Sequence, residues 1–325
     1  MWARRSARNA IPRKRPRKKP PSVPGANSKI LAAHGRMSLR VGLYVYELTR
    51  TSGGSVLTVS NGARSVSAAL GWGFGEGEVG ETYVFERGGD YYESHLSYST
   101  ALAGLDLTPG PSGSPPYDLE GALGRRMDAE EARLCFGCHN TAASAGGKFD
   151  PARLIPGVTC EACHGPGAQH VAAMKGGRIA EGLAHVLNPA RLDPIASVDF
   201  CGACHRTSPD VLETDMVAGN TTRFQPFRLE TSPCWGKGDA RLTCLACHDP
   251  HQPLVHDPGS YDNRCLRCHL AAKGSPGNPG HPGAACPQST KNCVTCHMPK
   301  MEVPGTHTRF TDHWIHVVRA DLGAW

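Results

Sequence analysis

The segment from Gly157 to His170, GVTCEACHGPGAQH, carries the pattern that decides how this chain folds: two cysteines separated by two residues, with a histidine directly after the second. This C-x-x-C-H pattern occurs six times in the 325 residues. Numbered in chain order as motifs 1 to 6, the copies are Cys135-Cys138-His139, Cys160-Cys163-His164, Cys201-Cys204-His205, Cys244-Cys247-His248, Cys265-Cys268-His269 and Cys293-Cys296-His297. Random placement of 14 cysteines and 16 histidines would give roughly 0.03 copies, so the repetition reflects a specific chemical requirement.

C-x-x-C-H is the attachment motif of a c-type haem: both thiols bond to the porphyrin, and the adjacent histidine ligates the iron from one face. Other uses of C-x-x-C fit less well, because zinc sites do not need the histidine and a thioredoxin-like dithiol needs one motif beside a βαβ pattern. The sequence therefore predicts six covalently attached haem c groups, each with one iron. The predicted first iron ligands are His139, His164, His205, His248, His269 and His297.

The composition offers little material for a polypeptide core around these motifs. Aromatic residues make up 6% of the chain, and there are 38 glycines and 26 prolines. Between Cys135 and His297 each motif has about 27 residues of chain, whereas a porphyrin is a large, flat, apolar body. We therefore expect a mainly α-helical and irregular multihaem cytochrome c region with the haems as its core, preceded by a small antiparallel β region.

Four segments are predicted along the chain. Residues 1–28 form a basic, disordered tail. Residues 37–107 form the small antiparallel β region of about four to six strands, and residues 108–118 form a linker rich in proline, glycine and serine. Residues 119–325 form the hexahaem domain, which begins with a helix over residues 119–136 that runs into motif 1.

Three sequence features refine the β region. Alternating apolar residues from Leu39 to Val45 predict a strand, and Asn61-Gly62 and Gly88-Gly89 predict hairpin turns. The segment GEGEVG at residues 75–80 matches the G-x-G-x-x-G of dinucleotide sites. Because a strand-like run follows where such a site needs a helix, we interpret this segment as a glycine-rich turn.

The formal net charge of +6 is concentrated at the amino terminus, where residues 1–28 hold nine arginines and lysines. No stacking aromatics are interleaved with them and no nucleic-acid motif follows, so no nucleic-acid partner is predicted. No run of about 18 apolar residues predicts a transmembrane segment, and no signal peptide with an apolar core is visible. Because c-type haem is attached after export, we expect a periplasmic or otherwise exported protein whose start is miscalled or truncated.

Ten histidines lie outside the motifs and are candidates for the second axial position of the six irons. Histidine on both faces gives low-spin iron that suits electron transfer. The leading candidates, each close to a motif or behind a tight turn, are His170, His251, His307 and His313. The next candidates, in or before the β region, are His95 and His34. The lowest-ranked are His185, His256, His281 and His316.

Two cysteines, Cys234 and Cys286, lie outside the motifs. Each comes shortly before a motif, and an exported protein commonly pairs its spare thiols. A disulfide between them is therefore a candidate link between the segments of motifs 4 and 6. The alternative is two unpaired thiols.

The motif surroundings resemble multihaem cytochromes of the cytochrome c-552/4 type, which carry doubled CXXCH motifs. The similar segments are GVTCEACHGPGAQHV at 157–171, DFCGACH at 199–205, LTCLACHDPH at 242–251, CLRCH at 265–269, CVTCHMPK at 293–300 and FTDHWI at 310–315. The resemblance implies closely stacked haem pairs, mostly bis-histidine irons and electron transfer in the periplasm. It places second ligands at His170, His251 and His313.

The sequence is compatible with two functions. The leading hypothesis is a periplasmic carrier that passes electrons between redox partner proteins. The alternative is an oxidoreductase that acts on a small nitrogen or sulfur compound at one five-coordinate iron, which leaves the catalytic residues unknown. In multihaem nitrite reductases the active haem often has lysine in place of the motif histidine. All six motifs here end in histidine, which argues against a nitrite reductase of that class but not against other multihaem enzymes.

Overall fold

The computed structural model describes residues 22–24, 28–75, 77–110, 116–145, 147–213, 218–235, 242–269, 286 and 288–316. Its strands are β1 (Ser22–Pro24), β2 (Arg36–Val41), β3 (Tyr44–Thr51), β4 (Gly54–Ser60), β5 (Ser65–Ala69), β6 (Trp72–Phe74), β7 (Gly80–Arg87), β8 (Asp90–Ser99), β9 (Gly104–Leu107), β10 (Gly124–Arg126), β11 (Asn140–Thr141), β12 (Ser144–Ala145), β13 (Lys148–Phe149), β14 (Ile155–Pro156), β15 (Lys300–Val303) and β16 (Thr308–Thr311). Its helices are α1 (Lys29–Ala33), α2 (Leu119–Leu123), α3 (Ala129–His139), α4 (Cys160–His164), α5 (Ala168–Lys175), α6 (Ile179–Ala184), α7 (Pro194–His205), α8 (Ser208–Glu213), α9 (Gln225–Glu230), α10 (Cys244–Cys247), α11 (Asp262–His269) and α12 (Cys293–His297).

The amino-terminal β region contains two antiparallel sheets, of four and six strands, where we expected about four to six strands in all. The first has the strand order β2-β3-β4-β5; the second has the order β1-β6-β7-β8-β10, with β9 also paired to β8. The chain changes sheet between β5 and β6, where the Leu70 amide donates to Ser55 in the first sheet and the Gly71 amide donates to Val84 in the second, each at 2.9 Å. Two adjacent residues thus bond to different sheets.

Side chains from both sheets form one hydrophobic core. Its fully buried members from the first sheet are Tyr46, Leu48, Leu57 and Val59, and those from the second sheet include Tyr83, Phe85 and Leu96. Helix α2 buries Leu119 and Leu123 in the same core. The alternating burial along β4 shows why this sequence forms a strand with one face inward.

Both predicted hairpins are confirmed. Strands β4 and β5 pair as far as Ser60 and Ser65. In the turn between them, Asn61 Oδ1 accepts hydrogen bonds from the backbone amides of Ala63 and Arg64. Strands β7 and β8 pair through to Arg87 and Asp90, with Gly88-Gly89 as a two-residue turn at positive φ. Strands β6 and β7 on either side of the glycine-rich segment are antiparallel, and the Gly77 amide donates to the Gly80 carbonyl oxygen at 3.2 Å, which agrees with the interpretation of this segment as a turn.

Three local predictions are wrong. The strand predicted from Leu39 to Val45 is two strands, because Gly42 has a φ of +56° and Leu43 forms an exposed hairpin tip. The helix predicted over residues 119–136 is divided into α2 and α3 by strand β10, which pairs with β8. Part of the predicted tail, Ser22–Pro24, is strand β1 and pairs with β6; apart from these residues and Ser28, the predicted tail lies outside the described residues.

The chain that follows the β region has short helices and turns with little polypeptide core. One cluster joins the β region to α3 through Phe74, Val84 and Phe136. A second cluster has only three buried members, Val198, Leu229 and Trp235. None of the helices in the described part of the chain combines the length and the apolarity that a membrane crossing requires.

Candidate functional site

All six motifs lie on helical turns. Five of the helices, α3, α4, α7, α11 and α12, end at the motif histidine, and α10 covers Cys244–Cys247 with His248 as its C-terminal cap. Residues three and four positions apart lie on the same face of a helix. Each motif therefore presents its two sulfur atoms and its imidazole on one side, which is the arrangement that holds a porphyrin edge and an iron together.

The two longest motif helices, α3 and α7, each begin after an aspartate that caps the helix N-terminus. Asp128 accepts hydrogen bonds from the amides of Glu130 and Glu131 at 2.9 and 2.8 Å, and Glu131 accepts the Asp128 amide in return at 3.0 Å. Asp193 caps α7 by accepting the Ala196 amide at 3.0 Å. The helices thus start at defined residues and end at His139 and His205.

The attachment cysteines of different motifs contact one another. The Cys204 thiol donates to Cys138, which lowers the pKa of Cys138, and Cys138 Sγ also lies 3.5 Å from the Ala203 carbonyl oxygen. The Cys244 thiol donates to Cys201, which lowers the pKa of Cys201. Motif 3 is therefore in contact with motifs 1 and 4.

The remaining motifs join the same series. Cys265 of motif 5 hydrogen-bonds with Cys293 of motif 6 and interacts electrostatically with Cys247 of motif 4. Cys163 of motif 2 interacts with Cys204 of motif 3. Hydrogen bonds between cysteines thus join motif 1 to 3, 3 to 4, and 5 to 6.

Two pairs of histidines face each other across different motifs. The rings of His164 and His251 are nearly parallel, at 6°, with centroids 5.9 Å apart. The rings of His248 and His313 have centroids 6.2 Å apart and an angle of 36°. Two imidazoles that ligate one metal ion from opposite sides, with metal–nitrogen bonds of about 2 Å, have ring centres roughly 6 Å apart. These pairs fit the two axial positions of a haem iron.

Several histidines have Nδ1 against a backbone carbonyl oxygen. A histidine that donates from Nδ1 in this way presents Nε2 to a metal. These Nδ1-to-oxygen pairs are His34 to Ile30 at 2.9 Å, His164 to Leu187 at 2.7 Å, His170 to Gly182 at 2.8 Å, His297 to His316 at 2.8 Å, His313 to Thr311 at 3.0 Å and His316 to Trp314 at 3.0 Å. The set includes two motif histidines, three predicted second ligands and His316, which sequence reasoning ranked low.

Burial keeps His313 neutral. Desolvation lowers its pKa to about 4, and its electrostatic neighbours include His248 and His205. A neutral imidazole is the form that binds a metal ion. At neutral pH His313 is therefore already in the protonation state that ligation requires.

Two predicted ligands lie in other surroundings. His307 has Nε2 3.1 Å from the Asp106 carboxylate, which joins the hairpin of β15 and β16 to the β region. His95 is 3% exposed, stacks on Tyr46 with ring centroids 6.2 Å apart, and has a pKa lowered by burial. The structure thus brings His251 and His313 to motif histidines, and it supports His307 and His95 less well. His281 lies outside the described residues.

The two extra cysteines lie beside different motifs. Both are free thiols in the structure. Cys234 interacts electrostatically with Cys268 of motif 5, whereas Cys286 hydrogen-bonds with His297 of motif 6. A disulfide between Cys234 and Cys286 stays a prediction.

Exposed apolar side chains surround the motif helices. In the described part of the chain, fourteen large hydrophobic residues are exposed, and ten of them fall between residues 155 and 255. These ten are Ile155, Val158, Val171, Ile179, Leu183, Leu187, Ile195, Leu212, Leu254 and Val255. These apolar side chains lie in the same stretch of sequence as motifs 2 to 4, and apolar surface of this kind is compatible with a large apolar cofactor held by the cysteines.

Comparison with known proteins gives one family match. The family described as Cytochrome c554 and c-prime matches residues 117–165, which include motifs 1 and 2. No curated protein and no solved structure matches the chain. The match supports a c-type cytochrome with covalently bound haem and a role in electron transfer.

Proposed function

We propose that this protein is an exported, periplasmic multihaem c-type cytochrome that carries electrons between redox partner proteins through six covalently attached haems. When bound, haem c supplies a reversible one-electron iron couple. The family match supports the c-type cytochrome, and the recurrence of C-x-x-C-H supports the number six. The exported location follows from the chemistry of haem attachment.

The observation that carries this proposal is the pairing of histidines across motifs. His251 faces His164 of motif 2, and His313 faces His248 of motif 4, at the spacing expected for two axial ligands. With histidine on both faces, an iron is low-spin and changes little in shape on reduction, which suits transfer more than substrate binding. We assign His251 and His313 as second ligands at motifs 2 and 4.

The order of the motifs supports a carrier as well. Hydrogen bonds between cysteines connect motif 1 to 3, 3 to 4, and 5 to 6. A carrier with several haems needs them close to one another. These contacts between motifs support the proposal of a carrier.

Spectroscopy of the oxidised and reduced holoprotein tests the proposal. We expect only low-spin ferric signals, and reversible oxidation and reduction without added substrate. A high-spin fraction of about one iron in six, together with turnover of nitrite, hydroxylamine or sulfite, would replace the carrier with an oxidoreductase.

A further inference from the structure

An ion pair with little solvent exposure fixes the segment that carries His313. Arg228 on α9 donates from Nε to Asp312 Oδ1 at 2.8 Å and from Nη2 to Oδ2 at 2.5 Å. The side chains of Arg228 and Asp312 are 15% and 1% exposed. The two residues are 84 positions apart in sequence, so this contact joins distant parts of the chain directly beside a proposed iron ligand.

A second set of bonds grips the backbone on both sides of His313. Ser232 Oγ accepts the Ile315 amide at 2.8 Å and has two carbonyl oxygens within donating distance, that of His313 at 3.0 Å and that of Arg228 at 3.1 Å. Asp312 Oδ1 also accepts the Trp314 amide at 3.0 Å. We call Arg228, Ser232 and Asp312 the clamp.

The clamp also connects to motif 6. The Asp312 amide donates to the Pro299 carbonyl oxygen at 3.0 Å, two residues after His297. The Arg228 guanidinium lies over the Trp314 ring, 5.4 Å from its centroid. The backbone of residues 312–315 is therefore held by bonds on several sides, and the His313 ring centroid lies 6.2 Å from that of His248.

A bidentate ion pair of this kind is a costly way to obtain stability alone. Removing two charges from water offsets much of their attraction, and apolar residues of similar size often stabilise a fold as well. Such an ion pair does fix the relative orientation of its two side chains, because the guanidinium holds both carboxylate oxygens in one plane. Apolar packing does not fix orientation in this way. This favours a role in orientation.

We propose that Arg228 and Asp312 are positioning residues that hold His313 as the second ligand of the iron at motif 4 and so set the potential of that one haem. The inference rests on the proposed function. Arg228 acts through Asp312, which fixes the backbone of the next residue. Loss of either charge leaves the other poorly solvated and frees the segment to move.

The test compares holoprotein variants that all retain six haems by intact mass. His313→Gly is the reference for a lost ligand, and we expect a high-spin ferric signal from about one iron in six that added imidazole returns to low spin. Arg228→Met and Asp312→Asn should give the same signal at lower amplitude, with a shifted midpoint potential for a single haem. Arg191→Met, an exposed arginine elsewhere in the motif region, is the matched control and should leave the spectrum unchanged.

The double variant Arg228→Met/His313→Gly should match His313→Gly alone, because both changes act on one iron–ligand bond. Arg228→Lys keeps the charge but cannot hold both carboxylate oxygens in one plane, so it should accumulate with six haems and still show part of the high-spin signal and of the shifted potential. This variant is the test if Arg228→Met does not accumulate. Six haems with unchanged spin state and potentials in both clamp variants would overturn the positioning role. A normal spectrum in His313→Gly, or fewer than six haems in the unaltered protein, would instead contradict the proposed function on which this inference rests.

Discussion

The imidazole rings of His164 and His251 lie parallel, with 6° between their planes and 5.9 Å between their centroids. His164 belongs to motif 2, and His251 follows motif 4. Each has its Nδ1 near an oxygen, the Leu187 carbonyl for His164 at 2.7 Å and the Asp249 carboxylate for His251 at 3.4 Å. Both rings therefore present Nε2 as the remaining nitrogen, which is what one iron between them requires.

Replacing His251 by methionine should change one haem and leave five as they are. Methionine in place of an axial histidine raises the reduction potential of the haem iron. We expect a rise on the order of 0.1 V, since different axial ligands change this potential over a range of roughly 0.8 V. A potentiometric titration followed by optical spectra measures this shift. Gln252→Met, at the exposed residue next to His251, is the control and should give the original titration. Equal curves for both variants would refute the assignment of His251.

Removal of both cysteines of motif 2 should remove one haem. Without Cys160 and Cys163 no thioether can form at this position, so the intact mass should fall by one porphyrin in Cys160→Ala/Cys163→Ala. Cys234→Ala, outside the motifs, should keep the full number of haems. Loss of a haem in the Cys234 variant, or none in the motif variant, would contradict the attachment scheme.

Acid should loosen the contact between the helices of motifs 5 and 6. Asp262 Oδ1 accepts the Cys293 amide and Oδ2 accepts the Asn292 amide, both at 2.8 Å. These bonds lower the pKa of Asp262 below its usual value of 3.8. A depressed carboxylate pKa contributes stability that is present above the unfolded pKa and lost as pH falls through the folded value.

The Soret circular dichroism of the holoprotein should therefore change as the pH falls below 3.8 and Asp262 becomes protonated. Asp262→Asn should show the altered signal already at neutral pH and lose this acid transition. Asp257→Asn, an exposed aspartate five residues earlier, is the matched control and should keep the transition. An unchanged acid profile in the Asp262 variant would show that this carboxylate does not hold the two helices together.

The β region should lose stability when its core is opened. Leu57 is fully buried in the core shared by the two sheets, and Leu57→Ala should cost about 2–5 kcal/mol of unfolding free energy. Leu43 is 81% exposed at a hairpin tip, so Leu43→Ala should change this free energy by less than about 0.5 kcal/mol. Denaturant unfolding followed by far-ultraviolet circular dichroism compares the two variants, and equal losses would contradict the described core.

Local turn chemistry was predictable from the sequence, whereas the division into two sheets was not. Asn61-Gly62 and Gly88-Gly89 supply the backbone conformations that tight hairpins need, so both turns could be placed. The helix predicted over 119–136 fails at Gly124, where the chain pairs with β8. A side chain there would lie 2.7 Å from the Glu93 carbonyl oxygen and from the Phe85 ring, a tertiary contact that helical periodicity does not encode.

The candidate site shows the same limit. The C-x-x-C-H spacing predicts each first ligand, because the two cysteines and the histidine of a motif lie within about one helical turn. The partnership of His164 with His251, the clamp on His313 and the Nδ1 contact of His316 depend on residues far apart in the chain. Sequence spacing ranked His307 with the leading ligands, yet its Nε2 lies against Asp106. His307 and Asp106 are far apart in the sequence, so this contact could not be predicted without the fold.

The intact mass of the holoprotein, produced in a host that attaches c-type haem, tests the central claim most directly. We expect the polypeptide mass plus six haems, with no free thiol in the six motifs. A mass equal to the bare polypeptide, or to a chain with fewer than six haems under full attachment conditions, would contradict it.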